Sequence, residues 1–147
     1  MTNRIASLIS LLFTIAVGCG LPARDFSDYL AKATEAADQA ISEAETALLA
    51  GDLWLGARLL QNSVAVQLED AEKAAGDALD GFASVLPPDR PSEALRAELV
   101  PMLHETADLI AGMRFAVRHG DLARFRQARD ALDDSARRLE SWAGQHE

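Results

Sequence analysis

Three histidines and one cysteine are the residues of this chain whose side chains most readily do chemistry. His104 is followed by Glu105 and, one helical turn on, by Asp108. An imidazole and a carboxylate four residues apart share one helix face and can offer two ligands to a metal. Two ligands fall short of the three or four of a protein zinc site. The competing reading, an ordinary contact on a solvated flank, suits these residue types better. Di-metal bundles place Glu-x-x-His on facing helices. None of His104, His119 and His146 lies three residues after an acid. There is no Cys-x-x-Cys-His, no Gly-x-Ser-x-Gly and no glycine-rich phosphate loop. Met102 and Met113 sit at helical spacing on an apolar seam and read as core fillers. No cofactor and no enzymatic chemistry are implied.

Arginine supplies a second kind of chemistry. Arg114, Arg118, Arg124, Arg126 and Arg129 gather around one turn. Each guanidinium presents a flat fork of donors that fits a carboxylate or phosphate. The plain expectation is neutralisation within the fold by Glu45, Asp52, Asp121 and Asp130. The functional one is a docking tip for an acidic partner or anionic ligand. Trp54, in Asp-Leu-Trp-Leu-Gly, either closes the core at that tip or anchors a partner there.

The cysteine, Cys19, has a different context. Arg4 gives a positive start, Ile5 to Val17 is an uncharged and mostly apolar run, and Ala16-Val17-Gly18-Cys19 ends it. This is the layout of a secretory signal. Its end resembles the lipobox of bacterial lipoproteins. The resemblance covers about the first 19 residues and implies cleavage before Cys19, with acyl chains on the new N-terminus and its sulfur. A lone cysteine outside the cytoplasm cannot form an internal disulfide, and acylation would remove a free thiol. Several buried acyl chains anchor a protein where one would not. Gly20 follows the cysteine. In a Gram-negative host that residue implies the outer membrane.

Cleavage would leave 129 of the 147 residues, one domain's worth and enough for a core. The chain carries 23 acids against 14 Lys and Arg, a net −9, and loss of Arg4 makes it −10. Such a charge is repelled by anionic headgroups and by nucleic acid, so neither is an expected partner. The balance is uneven. Arg24 to Leu86 holds 12 acids and 4 bases, whereas Pro87 onward holds 11 acids and 9 bases, all arginine.

The elements that must position these residues are helical. Ala and Leu dominate, and no stretch alternates as a strand would. Ala50-Gly51-Asp52, Leu86 to Pro91 and His119-Gly120-Asp121 read as punctuation. They predict helices over about 25–49, 52–85, 91–118 and 121–142, with Asp25, Asp52 and Asp121 as N-caps. The first seam, Phe26, Leu30, Ala33, Ala37, Ala40, Ala44, Ala47, is mostly alanine, which lets a partner helix come close. The second runs from Trp54 and Ala57 through Gln61, Val64 and Leu68 to Val85. Pro101 is expected to kink the third helix or split it near Val100. Short connections join antiparallel neighbours. The expected fold is therefore all-α, an antiparallel up-down-up-down four-helix bundle over 25–143. Residues 1–18 would be the signal, 19–24 the lipidated tether and 144–147 a frayed tail. A homodimer of two long helical hairpins is the rival arrangement.

The functional expectation is an extracytoplasmic lipoprotein, anchored to the bacterial cell membrane through Cys19. It would act without catalysis as an interaction or accessory protein beside another envelope protein. The alternative is a helical-bundle module for a small ligand or metal, with Thr106, Gln61 and Met113 lining a cavity or a metal near His104.

Overall fold

The computed structural model describes residues 22–146, so the predicted signal and Cys19 lie outside the described residues. Four helices follow: α1 (Phe26–Leu55), α2 (Gln61–Ala83), α3 (Arg90–His119) and α4 (Leu122–Gly144). There is no strand among the described residues. The chain is an all-α four-helix bundle.

Chain direction follows from which residues meet. Tyr29 near the start of α1 packs on Phe82 near the end of α2. Glu69 and Glu72 of α2 pair with Arg118 and Arg114 of α3, in reversed order. Glu105 of α3 pairs with Arg138 of α4, and Thr106 with Ser135. Asp52 of α1 holds Arg129 of α4. Each neighbouring pair therefore runs antiparallel. One end carries the α1–α2 and α3–α4 turns and the other the α2–α3 turn and both termini.

Alanine shapes the interior. Ala33, Ala37, Ala40, Ala44 and Ala47 of α1 are fully buried. Opposite them α3 contributes large side chains, among them Leu99, Leu103, Ile110 and Met113. Short side chains on one helix let the other approach. Accordingly the backbones of α1 and α3 come close across the bundle, while those of α2 and α4 stand farther apart. Met102, expected on the seam, lies half-buried at its margin, as does Leu109.

Two expectations are corrected. The predicted turn at Ala50-Gly51-Asp52 is helix. α1 runs to Leu55, and the connection to α2 is 56–60. Gly51 is buried because Phe125 lies over it: a Cβ there would stand 2.7 Å from the ring tip of Phe125 and 3.0 Å from Met113 Cε. Its missing side chain serves close packing, not a turn. Asp52 caps no helix, and Trp54 and Ala57 do not belong to α2. Nor does α3 end near Val100. It continues through Pro101, which lies on the solvent face. There the carbonyl that proline leaves unbonded can be hydrated. The other caps fall as expected. Asp25 accepts from the Asp28 amide and Asp121 from that of Arg124. Gly120 closes α3 with φ 67°, a left-handed conformation that glycine adopts without steric cost.

Candidate functional site

Residues expected to carry function lie mostly at the end formed by the α1–α2 and α3–α4 turns, here called the distal end. Four contacts assemble it. Trp54 closes α1 onto the start of α4, edge-on to Phe125 with ring centres 4.9 Å apart. Gln61 Nε2 donates to the Val117 carbonyl at 2.7 Å, fixing the start of α2 beside the end of α3. Arg129 forks onto Asp52 at 2.9 and 3.1 Å, locking α4 to α1. Arg114 grips Glu72 through two nitrogens, locking α3 to α2.

The predicted tip residues therefore divide. Trp54 is half-buried and packs on the core cluster of Ala47, Ala50, Met113 and Phe125. Arg114, Arg118 and Arg129 already hold carboxylates. The Glu72 hydrogen bond raises the Arg114 pKa, and that of Asp52 raises Arg129 further. Both stay cationic and engaged. Their partners include Glu69 and Glu72 as well as Asp52 and Asp130, whereas Asp121 is spent on its cap.

Arg124 and Arg126 differ. Both are exposed, and among the described residues neither reaches a carboxylate. Arg124 instead lies 4.7 Å from the ring centre of Phe115, whose ring stacks on His119 at 4.0 Å. A cation over an aromatic face is attracted by the ring quadrupole. Sequence reasoning missed Phe115, Arg58 and Leu60. A signal existed for Phe115 and Leu60. Phe115 falls one residue off the Met113–Ala116 seam, so it must face outward. Leu59-Leu60 is an apolar pair beside Gly56-Ala57-Arg58, where a turn is ordinarily polar.

The metal expectation has a plain geometry. His104 Nδ1 lies 3.0 Å from Asp108 Oδ2, both well exposed. No group of three metal-binding side chains gathers among the described residues. Gln61 is engaged by Val117. The buried Thr106 hydroxyl bonds the Met102 carbonyl at 3.0 Å and the buried Ser135 hydroxyl at 3.1 Å. Both polar groups expected to greet a ligand are thus engaged by the bundle itself. No described helix is long and apolar enough to cross a membrane.

No protein-family model matches this chain, and neither a curated protein nor a solved structure matches it.

Proposed function

We propose that this chain is an extracytoplasmic lipoprotein, held to the bacterial membrane through Cys19, that serves as a non-enzymatic interaction or accessory protein of the cell envelope. One observation carries the reading. The polypeptide enters the bundle at one end, where Ala23 joins the core cluster of Tyr29, Phe82 and Leu95. Arg58, Arg124 and Arg126, none paired with a carboxylate among the described residues, and the exposed Leu60, Phe115 and Leu122 lie at the other. A 30-residue α1 separates the two by about 45 Å. An anchored molecule of this shape would present its distal end away from the membrane.

Mass spectrometry of the N-terminal peptide from the membrane fraction tests the anchor. Acyl mass on Cys19, absent in Cys19→Ala, is the expected outcome. A mature native peptide with an unmodified Cys19 defeats it. Cross-linking in living cells, with Cys19→Ala as control, tests the accessory role. Adducts that need the anchor are expected, and their absence would argue against an envelope partner.

A further inference from the structure

We infer that the distal end docks an acidic amphipathic helix of a partner protein, an assignment that rests on the accessory-protein reading above. Three observations converge there. The first is apolar exposure. Leu60 is 79% exposed, Phe115 46% and Leu122 45%. The Gln61–Val117 bond seats Leu60 beside the end of α3, and Leu122 opens α4 directly after it.

The second is charge. Arg58, Arg124 and Arg126 flank these side chains, and none has a carboxylate partner among the described residues. The chain as a whole carries −9. Arg24 and Arg90 at the opposite end also lack a carboxylate partner among the described residues, but each stands beside an aspartate, Asp25 and Asp89. The distal arginines are therefore the stronger attraction for an acidic partner and favour that docking orientation. Apolar side chains rimmed by cations complement a helix whose apolar stripe is rimmed by acids.

The third is a broken local rule. Leu60 occupies the N-cap of α2, where no side chain caps the helix. Serine, threonine, aspartate or asparagine would stabilise that end. A leucine that forgoes the cap and faces solvent answers a demand other than folding. A membrane is the less suited occupant, because the predicted anchor enters at the opposite end.

Titration settles the matter with defined probes. The full chain, with phosphatidylcholine nanodiscs present, is mixed with a synthetic leucine/glutamate amphipathic helix, then with its leucine/lysine counterpart. Amide shifts are followed by NMR. The acidic peptide is expected to shift residues 58–60 and 115–126, and the basic one is not. Arg124→Glu with Arg126→Glu weakens binding about tenfold. Arg90→Glu with Arg137→Glu makes the same net charge change elsewhere and alters it less than about twofold. Leu60→Ser supplies the missing cap, so it raises Tm by about 3–5 °C while weakening binding several-fold. Binding that ignores the distal reversal overturns the inference. So does no binding of the acidic peptide, or engagement of these residues by phosphatidylglycerol vesicles in its place. The titration does not depend on acylation. An unmodified Cys19 with intact peptide binding would sink the anchor alone, and the converse would sink the docking site alone.

Discussion

The two ends of the bundle are finished differently. At the proximal end Asp25 and Asp89 cap α1 and α3, and Asp89 takes both the amide and the hydroxyl of Ser92. Arg96 closes the α2–α3 turn by donating to the Ala83 and Val85 carbonyls at 2.6 and 2.9 Å. At the distal end Leu60 stands uncapped and Ala57 holds φ 55°, a conformation that suits glycine. The interiors reverse the contrast. Beside the distal cluster around Phe125 the buried hydroxyls of Thr106 and Ser135 bond each other, so both are partnered. The proximal cluster contains Tyr29 and Trp142, whose buried hydroxyl and indole N–H find no partner among the described residues. The proximal end is well capped over an interior with two orphaned polar atoms, although Leu86 in its turn is 67% exposed. The distal end has a satisfied interior, and its α1–α2 turn breaks two local rules where its α3–α4 turn breaks none. Folding alone rewards the proximal surface. The distal one fits a surface that also answers to a partner.

The distal interior offers the largest effect. Phe125→Ala removes a fully buried ring that spans Trp54, Gly51 and Met113. It should lower unfolding free energy by about 3–5 kcal/mol. Denaturant unfolding checks this, and a loss below about 1 kcal/mol would show that the cluster is loosely packed. Gly51→Ala approaches the same contact from the other side. Its methyl would meet the Phe125 ring, an overpacking cost of about 1–3 kcal/mol, against about 1 kcal/mol of helix propensity gained. Net destabilisation of up to about 2 kcal/mol is expected. A more stable variant would mean that Phe125 gives way freely.

Gly51 also marks where the sequence misleads. Besides Gly76-Asp77 inside α2, Gly-Asp occurs at 51–52 and at 120–121, and local chemistry treats these two alike. The second ends a helix and the first lies within one. The decisive signal is the apolar period, which passes from Ala44 and Ala47 through Gly51 to Trp54 and Leu55. A glycine on a continuing seam is a place for close approach, not a stop. The bundle class, the caps Asp25 and Asp121 and the alanine seam were legible because they rest on local pattern and period, whereas Asp52 was misplaced and the cap Asp89 was not foreseen. The tip was only half legible. Arginine clustering located it, but pairing decides which arginines remain available, and pairing depends on partners 42 residues away for Arg114 and 77 for Arg129. Sequence distance hides such contacts until the helices are registered.

Smaller changes sharpen the contrast between the ends. Ala57→Gly relieves the left-handed alanine and should add about 1 kcal/mol, read as a higher denaturant midpoint. An unchanged or lower midpoint would mean the turn carries no strain. Tyr29→Phe removes an orphaned buried hydroxyl from the proximal interior. It should be neutral or add up to about 1 kcal/mol. A clear loss would reveal a partner for that hydroxyl.

Acid is the subtlest probe, and it acts on the proximal surface. The Ser92 hydroxyl and then its amide hold the Asp89 carboxyl below its ordinary value of 3.8. The Arg24 amide, followed by Lys32, does the same for Asp28. A carboxyl whose folded pKa is depressed contributes stability above its unfolded value and loses it as pH falls through the folded one. Below about pH 4 the start of α3 should therefore loosen as Asp89 takes a proton. Hydrogen exchange at the Ser92 amide reports this directly, since that N–H donates to Asp89 Oδ1 at 2.9 Å. Asp89→Asn keeps an acceptor there but cannot titrate. Its protection at Ser92 should respond less to acid than that of the native chain. Equal responses would place the acid sensitivity elsewhere, and the proximal caps would lose their claim to be what finishes that end.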